Sequence, residues 1–415
     1  MIVSPGASFQ TESGETVKID WQLGEGAQGK VYMATDIAMR RRLVVKFFED
    51  KGDRADTLAR IRFLVSQRLS DTCPDIAAPL SVIDDNGAFG YCSNYVNGQT
   101  LEEYLKAPKC SFQERIIIAH DCARLVGQLH QRQIIYGDIG ARNFMIEGNS
   151  PQLRVHAIDL DNFMAHGAPP CSMIGQRLYL PPELRRALLG NYPVAPTLHS
   201  DRYELGVLIH EIVLLTHPSA GHGNSEDEFD RAMLEPWLLD PISSQTTAST
   251  SCGCPVGVLS SDLCGRFREV FGKDPSKRPK ADQWANLLDR ESNKVYTCAV
   301  CKEQCLLDSS KRECPFCHHP LSVPTLFILS TKRQIRLVRS ITYIGRIELD
   351  GRPTVSSKHA IFRRIGSELL MESYGRNGSY RKTALGWTRI PNGSPVRILK
   401  NERLKFADVE VEVRS

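Results

Sequence analysis

The sequence lacks a long apolar run. Its longest strongly apolar stretch, Leu205 to Leu215, is interrupted by His210 and Glu211 and falls short of the roughly 20 apolar residues that span a bilayer. Residues 1–10 show no basic region followed by an apolar run, so we expect no signal peptide. We find no internal repeat. These absences favour a cytoplasmic protein without membrane association.

The composition is not that of a disordered or fibrous chain. Hydrophobic residues make up 41% and charged residues 24% of the 415 residues, which is ordinary for globular protein. At roughly 100–200 residues per domain, this length predicts two to four domains. The net charge of +4 is uneven, because residues 298–415 hold 21 Lys/Arg against 11 Asp/Glu. This excess favours an anionic partner, and a merely well-solvated surface is the alternative.

Thirteen cysteines are present, and five of them fall within twenty residues. A secreted disulfide scaffold would be short and would carry a signal peptide, so the cluster indicates a metal site instead. Two C-x₂-C pairs separated by twelve residues suit four thiolates around tetrahedral Zn²⁺, a closed and therefore structural site. The predicted ligands are Cys298, Cys301, Cys314 and Cys317, with Cys305, His318 and His319 as spare candidates. The segment resembles a small zinc ribbon.

Along the chain, the sequence predicts a β-sheet, a group of helices, the cysteine-rich metal-binding segment and a β-sandwich, in that order. Residues 17–96 read as short β-branched runs interrupted by a helix near 53–69, and the chain is mostly helical from residue 101. Residues 241–261 are rich in Ser, Thr, Gly and Pro and predict an exposed loop. From residue 325 onward, short strands alternate with Gly and Asn turns, which favours an all-β sandwich.

A glycine-rich hairpin and a strand lysine stand near the start of the chain. Gly24, Gly26 and Gly29 form G-x-G-x-x-G-x-V with Val31, and such glycines let a backbone approach phosphate oxygens closely. A strand follows them, which disfavours the dinucleotide-binding version of this motif. Lys46 lies in an apolar strand, where burying its charge requires an anionic partner.

Three polar residues beside apolar runs complete the set of candidate site residues. Asp138, Asn143 and Asp159 would place carboxylate and amide oxygens at the edge of a buried core. These are the hard oxygen ligands that Mg²⁺ prefers, together with one base for a substrate hydroxyl.

The order of these motifs resembles the protein-kinase signature. Pro181-Pro182-Glu183 matches its A-P-E site, and the Arg of Asp274-Pro275-Ser276-Lys277-Arg278-Pro279 matches the arginine that pairs with that glutamate. The resemblance covers about residues 16–290. It implies that the glycines and Val31 cover ATP, that Lys46 contacts its α/β-phosphates, and that Asp138 accepts or orients the substrate hydroxyl. It further implies that Asn143 and Asp159 hold Mg²⁺ and that the adenine-reading hinge is Asn94-Tyr95-Val96.

Several positions depart from that family. Tyr136-Gly137 replaces the usual His-Arg, and Asp159-Leu160-Asp161 replaces D-F-G. Gly140 stands where Ser/Thr kinases usually carry Lys, and Gln176 stands where they often have Thr. No Glu occurs in residues 53–69, where the partner of Lys46 is expected. Ser172 and Tyr179 are the candidate sites for autophosphorylation between Leu160 and Pro182.

The last ninety residues resemble a forkhead-associated (FHA) domain through G-R, S-x-x-H and N-G motifs on predicted loops. The resemblance implies that Arg346 and Ser356 bind the phosphate of a phosphothreonine and that Asn377 binds the peptide backbone. Ser357 and Arg376 would make secondary contacts, although the family often has Arg or Asn where Ser357 stands. His359 is interpreted as a core residue that braces the loops.

The sequence thus predicts a multidomain chain with an α+β bilobal protein-kinase fold, a small four-cysteine zinc ribbon and an all-β FHA sandwich. The expected boundaries are 1–293 for the kinase-like domain, 294–322 for the ribbon and 323–415 for the FHA domain. The expected activity is ATP-dependent protein phosphorylation, Ser/Thr-directed more than Tyr, with ATP, Mg²⁺ and structural Zn²⁺ as cofactors. The alternative is a nucleotide-binding pseudokinase scaffold.

The expected partner of the FHA domain is a phosphothreonine-containing protein. Residues 200–218 and Asp159-Leu160-Asp161 resemble bacterial kinases encoded beside a von Willebrand A-domain protein and a PP2C-type phosphatase. That resemblance implies these two proteins as partners and a role in bacterial phospho-signalling. The ribbon lacks interleaved aromatic residues beyond Phe316, so we do not expect nucleic acid as a partner.

Overall fold

The chain divides into two compact units in a computed structural model. The first unit comprises residues 1–110, 117–253 and 266–286, and the second comprises residues 111–116, 254–265 and 287–415. The predicted ribbon and sandwich thus lie in one unit, together with two short segments from the predicted kinase-like region. The structure describes residues 3–26, 29–49, 54–106, 110–165, 175–220, 226–238, 242, 254–308, 311–365 and 368–414.

The first unit begins with a six-stranded antiparallel sheet. Its strand order is β1-β2-β3-β4-β6-β5. The strands are β1 (Ser8–Gln10), β2 (Thr16–Gly26), β3 (Gly29–Asp36), β4 (Arg41–Phe48), β5 (Pro79–Asp85) and β6 (Ala88–Asn94). Alternating residues such as Val17 and Ile19 on β2 and Leu43 and Val45 on β4 are buried, because a strand turns every second side chain to one face.

One helix packs beside this sheet. Helix α1 (Arg54–Ser66) buries Leu58, Ile61 and Leu64, whose spacing of three residues keeps them on one side of the helix. Leu58 and Ile61 belong to a cluster of buried residues with Tyr91 of β6. This packing places α1 next to the strands that carry the candidate nucleotide-binding residues.

The rest of the first unit is mostly helical. The helices after α1 are α2 (Leu69–Thr72), α3 (Leu101–Lys106), α4 (Phe112–Gln131), α5 (Pro182–Leu189), α6 (Leu198–Leu214), α7 (Glu226–Leu234), α8 (Ser261–Val270) and α9 (Ala281–Ser292). Of these described helices, α4 and α6 are the longest, and α4, α8 and α9 each have residues in both units. The short strands among them are β7 (Gln99–Thr100), β8 (Ile134–Ile135), β9 (Phe144–Glu147), β10 (Arg154–Ala157) and β11 (Met164–Ala165).

Helix α6 shows how local sequence fixes an element. Thr197 precedes it, and the Thr197 hydroxyl accepts a hydrogen bond from the Ser200 N–H while the Ser200 hydroxyl caps the Thr197 backbone. This reciprocal capping satisfies N–H groups that have no partner inside the helix. The helix ends at Leu215, which adopts a left-handed conformation.

The second unit contains a small hairpin and two β-sheets. The hairpin pairs β12 (Val295–Thr297) with β13 (Gln304–Leu306), and the sheets have the orders β15-β14-β23-β22-β19-β20 and β16-β17-β18-β21. Their strands are β14 (Thr325–Ile328), β15 (Gln334–Arg336), β16 (Ile341–Ile344), β17 (Ala360–Ile365), β18 (Glu368–Ser373), β19 (Ser379–Thr383), β20 (Gly386–Ile390), β21 (Val396–Ile398), β22 (Arg403–Phe406) and β23 (Val409–Arg414). Apolar residues from both sheets, among them Phe362 and Phe406, form one buried core.

Most predicted elements are confirmed. The strands within residues 17–96, the helix near 53–69, the mostly helical region from residue 101 and the all-β region from residue 325 are present. The exposed loop predicted for 241–261 is wrong at its described end, where Val258 and Leu259 are buried. None of the described helices combines the length and the apolar character needed to cross a membrane.

A buried arginine ties two distant segments of the first unit together. Arg278 donates from both terminal nitrogens to the Glu183 carboxylate, at 2.5 and 2.8 Å, and also to the His199 carbonyl. Its guanidinium lies 4.9 Å from the ring centre of Tyr203. The Arg278 side chain is only 2% exposed, so this fork anchors the start of α5 against α6.

We therefore predict that Arg278→Ala lowers the free energy of unfolding by about 2–3 kcal/mol, because several charge-assisted hydrogen bonds are lost in a buried place. Arg278→Lys keeps the charge without the fork and should lose about half of that. The measurement is urea unfolding followed by tryptophan fluorescence. Lys106→Ala removes a cation that is 71% exposed, and should change the free energy by less than about 0.5 kcal/mol. Equal losses in the three variants would contradict the assigned anchoring.

Candidate active site

Lys46 lies at the centre of the first unit's polar cluster. Its side chain is 8% exposed, and its Nζ lies 2.5 Å from Asp159 Oδ1 and 2.8 Å from Asp161 Oδ2. Burial lowers a lysine pKa, but the two carboxylates outweigh this and raise the pKa of Lys46 well above its usual value. The lysine is therefore a fixed cation at this site.

The two carboxylates beside Lys46 are not equivalent. The side chain of Asp159 is 38% exposed, whereas that of Asp161 is 2% exposed. Burial raises both pKa values, and the Lys46 charge reverses this only for Asp159, whose pKa is lowered. Asp159 also has a φ of +58°, a left-handed conformation, and accepts a hydrogen bond from the Tyr91 hydroxyl at 3.4 Å.

Asp138 and Asn143 meet at the other side of this cluster. The Asn143 amide donates to Asp138 Oδ2 at 2.9 Å and to the Asp138 carbonyl at 2.8 Å. The Asn162 amide donates to the same carboxylate oxygen at 3.3 Å. Asp138 Oδ1 is buried and has no hydrogen-bond partner among the described residues. Burial, partly offset by the amide donors, raises the pKa of Asp138, which suits a group that accepts a proton.

Tyr136-Gly137 has a structural reason to stand in place of His-Arg. Tyr136 is fully buried, and its hydroxyl donates to the carbonyls of Asn143 and Ile158, so it links the loop of Asp138 to the segment before Asp159. Gly137 has a φ of +73°, and a Cβ there would lie 2.8 Å from the Asn162 carbonyl oxygen. A larger residue at 137 would be strained.

Helix α6 fixes the loop that leads to Asp138. Asp201 accepts hydrogen bonds from the backbone N–H groups of Tyr136 and Gly137, at 2.7 and 3.0 Å. It also lies 2.9 Å from the His130 ring of α4. Since Asp201 is completely buried, these bonds fix the backbone immediately before Asp138.

Gly140 leaves room for another side chain next to the candidate base. A Cβ at Gly140 would lie 2.5 Å from the Gln176 amide nitrogen. The neighbouring Gln176 side chain lowers the pKa of Asp138, against the larger effect of burial. Gln176 thus occupies the space next to Asp138 that a lysine at 140 would need.

The remaining predicted nucleotide-binding residues lie on the sheet. Gly24 and Gly26 are near the end of β2, and Gly29 begins β3, while the two residues between the hairpin strands lie outside the described part of the chain. Val31 is directly opposite Lys46 on the β3–β4 ladder. The predicted hinge follows at the end of β6 and comprises Asn94, Tyr95 and Val96.

Tyr179, one of the two candidate phosphorylation sites, is engaged in the core. It is 6% exposed, its hydroxyl donates to Glu211, and it accepts the Ala141 N–H at 3.3 Å. This engagement argues against modification of Tyr179. The other candidate, Ser172, lies outside the described residues.

The second unit brings the four predicted zinc ligands together. The Sγ atoms of Cys298, Cys301, Cys314 and Cys317 all lie within 4.8 Å of one another, and two pairs are 3.6 and 3.7 Å apart. A tetrahedron with Zn–S bonds of about 2.3 Å places its sulfurs about 3.8 Å apart. Cys305, a spare candidate, is buried on β13 and does not belong to this cluster.

The two cysteine turns have matching backbones. Lys302 and His318 each follow the second cysteine of a turn, and both are left-handed, with φ of +66° and +57°. Although burial raises the pKa of Cys298, the N–H groups of Cys301 and Val300 lower it to about 7. N–H groups aimed at sulfur favour the thiolate, the form that binds metal.

His359 braces the loops of the β-sandwich, as predicted. It is completely buried, and its Nδ1 accepts the Ser356 N–H at 3.2 Å while its Nε2 lies 3.0 Å from the Gly378 carbonyl. Burial lowers the pKa of His359, in keeping with a neutral ring that accepts at one nitrogen and donates at the other. His359 thus links the loops that carry the predicted phosphopeptide ligands.

Those ligands lie on two neighbouring loops. The Arg346 N–H donates to the Ser356 carbonyl at 3.1 Å, and the Arg376 N–H donates to the Ser356 hydroxyl at 3.2 Å. Asn377 donates from its amide to the Thr354 carbonyl at 2.7 Å, which ties the loops together. Arg346, Ser357, Arg376 and Asn377 are exposed, and Ser356 is half-buried.

A groove begins beside Asn377. Its volume is about 280 Å³, and Thr354, Trp387 and Lys405 contribute to its lining. The Lys405 ammonium lies 5.7 Å from the centre of a Trp387 ring. The groove therefore offers an apolar face, the positive charge of Lys405 and the negative charge of Asp408 next to the predicted phosphate ligands.

The sequence reasoning missed four residues of the first unit's site. Tyr91 and Asn162 carry no motif, and Asp201 stood only as part of a helix match. Asp161 was visible as a departure from D-F-G. An extra carboxylate at this position, in a chain whose Lys46 has no glutamate partner, was the signal that could have identified it.

Several known proteins are similar to this chain. The family model described as "Protein kinase domain" matches residues 17–287. Serine/threonine-protein kinase PrkC of Bacillus subtilis is 26% identical over 199 residues, 46% of this chain and 29% of that protein. Mitogen-activated protein kinase kinase 2 of Arabidopsis thaliana is 23% identical over 268 residues, 63% of this chain and 68% of that protein. A solved structure, "ROP18 kinase domain in complex with AMP-PNP and sucrose", aligns with a TM-score of 0.49 and 16% identity, covering 68% of this chain and 83% of that one.

The chain belongs to the protein kinase family, since the matched domain spans well over half of its length. The bilobal kinase fold expected from the motifs is confirmed. The chain spans less than a third of the length of PrkC and of the probable serine/threonine-protein kinase MARK-C of Dictyostelium discoideum, at 29% and 27%.

Proposed function

We propose that this chain is an ATP-dependent protein kinase, directed at Ser/Thr more than at Tyr. The observation that carries the proposal is the buried, unpartnered Oδ1 of Asp138, held in place by the amides of Asn143 and Asn162. A fixed carboxylate oxygen without a donor is what a substrate hydroxyl needs in order to be oriented and deprotonated.

The surrounding residues fit ATP and Mg²⁺. The half-exposed carboxylate of Asp159 and the amide oxygen of Asn143 are hard oxygen donors of the kind Mg²⁺ takes, and Lys46 is a fixed cation for phosphate oxygens. When bound, Mg²⁺ supplies positive charge that stabilises the transferring phosphoryl group. The role of the chain is to hold Lys46, orient the hydroxyl through Asp138 and accept its proton there.

The preference for Ser/Thr rests on the relatives. PrkC of Bacillus subtilis and PknD of Chlamydia abortus are both named serine/threonine-protein kinases, and both are bacterial. Arg142, before Asn143, resembles the residue of tyrosine kinases, but one residue does not decide specificity, and here it pairs with Glu102 at 2.8 Å. We therefore place the chain in bacterial phospho-signalling.

We predict that the purified chain, incubated with ATP and Mg²⁺, transfers phosphate to itself or to a generic basic protein substrate. Intact mass and radiolabel transfer measure this. Asp159→Ala and Lys46→Met should reduce transfer by at least about 100-fold, since each removes a charge that acts in the transition state. Asp71→Asn, at an exposed ion pair on α2, should transfer normally.

Two results would contradict the kinase proposal. One is equal transfer by Asp159→Ala and wild type. The other is nucleotide binding without transfer to any substrate, which would support the scaffold alternative that the missing glutamate suggested.

We propose further that the four-cysteine cluster is a structural zinc site. The sulfur spacing, the matched turns and the absence of other protein ligands among the described residues all support four-thiolate coordination. A segment of this size has too little core to fold alone, so bound zinc would supply much of its folding energy.

We predict one equivalent of zinc per chain, measured by elemental analysis. Cys314→Ser should lose most of the zinc, and Cys305→Ser should retain it, because Cys305 is buried outside the cluster. Full zinc content in Cys314→Ser, or none in the wild type after growth with zinc, would refute this assignment.

We propose that the β-sandwich of the second unit is an FHA domain that binds phosphothreonine. Support comes from the convergence of Arg346, Ser356 and Asn377 on loops braced by His359. The groove at Trp387 and Lys405 would receive peptide residues beside the phosphothreonine.

We predict that a phosphothreonine peptide library binds the chain and that its unphosphorylated counterpart does not. Arg346→Ala should weaken the selected peptide by about 10- to 100-fold, because a charge-assisted contact to phosphate is lost. Arg363→Ala, whose side chain pairs with Glu372 on neighbouring strands, is the matched control and should bind normally. Fluorescence anisotropy measures both. Equal binding of phosphorylated and unphosphorylated peptides would exclude phosphothreonine reading.

The partners we propose follow from these assignments. A phosphothreonine-containing protein would dock on the second unit, and a von Willebrand A-domain protein and a PP2C-type phosphatase would act with the kinase. A phosphatase that removes what the kinase adds would make the phosphorylation reversible.

A further inference from the structure

The lysine of the candidate active site lacks its expected partner. In the protein-kinase pattern, a glutamate of the helix beside the sheet pairs with the strand lysine. Helix α1 contains no glutamate, and Asp56 in its first turn is its only acidic residue. Yet Lys46 is buried and close to two carboxylates, so another element has supplied the missing negative charge.

We propose that Asp161 takes the place of the missing glutamate as the residue that positions Lys46. The inference rests on the proposed kinase function. Asp161 Oδ2 lies 2.8 Å from Lys46 Nζ, and Lys46 is the only cation in ion-pair contact with Asp161 among the described residues. This carboxylate stands where the family carries glycine.

The burial of the two carboxylates divides their roles. Asp159 is 38% exposed and open to a metal, whereas Asp161 is 2% exposed and faces the interior. When Asp159 engages Mg²⁺, Asp161 remains on Lys46 and keeps its ammonium directed at the phosphates. Without Asp161, Lys46 would then have no second carboxylate partner among the described residues.

Packing explains how the helix still takes part. Asp161 lies in a short turn over residues 160–162, whose Leu160 is completely buried. Phe163, the next residue, stacks on Phe63 of α1 with ring centres 5.7 Å apart and planes at 12°. Helix α1 therefore holds the turn, and the turn holds Lys46, so the usual direct ion pair is replaced by an aromatic contact and a carboxylate.

The substitution Asp161→Asn tests the proposal. It leaves Lys46 paired with Asp159, so one cation and one anion remain and the variant should fold. Asp161→Gly introduces the residue typical of the family. Asp36→Asn is the matched control, because Asp36 is a completely buried carboxylate that pairs with Arg41 elsewhere.

The first readout does not depend on activity. Full-length proteins are treated at fixed pH with an acylating reagent for amines, and modification of Lys46 is quantified by peptide mass spectrometry. Asp161→Asn and Asp161→Gly should raise its labelling rate about tenfold, the change that a one-unit fall in lysine pKa produces. Asp36→Asn should leave the rate unchanged. Unchanged labelling in the Asp161 variants overturns the proposal, even if the chain shows no phosphate transfer.

The second readout is catalytic. Both Asp161 variants should lower kcat on the order of 100-fold, as expected when a reacting group is misplaced by about 1 Å. The Mg²⁺ concentration for half-maximal rate should stay as in wild type. If Asp161 is instead a second metal ligand, that concentration rises while Lys46 labelling stays at the wild-type rate, and this outcome overturns the proposal. Wild-type kcat in Asp161→Gly overturns it as well.

Discussion

The architecture of the first unit's site depends on one buried positive charge. Lys46 sits in a strand between apolar neighbours and is 8% exposed, so it can stay charged there only next to anions. The two carboxylates beside it would repel each other without it. Lysine and carboxylates thus stabilise one another, and the turn of residues 160–162, the β4 strand and the α1 helix must all be in place for the cluster to exist.

A second buried charge fixes the position of the candidate base. Asp201 on α6 accepts hydrogen bonds from two backbone N–H groups of the loop before Asp138. The loop is therefore attached to a helix that is buried over most of its length. Tyr136 then joins that loop to the segment that leads to Asp159. The candidate base and the candidate metal-binding carboxylate are therefore placed by one connected set of hydrogen bonds.

The fold was largely predictable because its signals are local. Short β-branched runs predicted the strands within residues 17–96, interrupted by a helix near 53–69, because such runs report local backbone preference. The motif residues Lys46, Asp138, Asn143 and Asp159 were predictable because their order along the chain is characteristic.

Contacts between distant side chains were predictable only where a family motif pairs them, as it does Arg278 with Glu183. Lys46 and Asp161 are separated by more than a hundred residues, and neither Tyr91 nor Asn162 belongs to a pattern that announces a role. Segments 111–116 and 254–265 likewise belong to the second unit through tertiary packing, which a local sequence pattern does not report.

Each departure from the kinase pattern is accompanied by a second unusual residue that contacts the same group or occupies the same space. This bears on whether the chain has kept or lost its activity. The missing helix glutamate is accompanied by Asp161, a carboxylate at the same lysine. Gly137, in place of arginine, is accompanied by Tyr136, whose hydroxyl joins two loops.

Gly140, in place of lysine, is accompanied by Gln176, whose amide lies in the space that a side chain at 140 would need and which lowers the pKa of Asp138. Loss of function would remove such groups one at a time and leave their former partners unpaired, at a cost for each buried charge or polar group. Each change is instead met by another that keeps the remaining groups in contact. This arrangement is the one expected of a site that still positions Lys46, Asp138 and Asp159 for phosphoryl transfer.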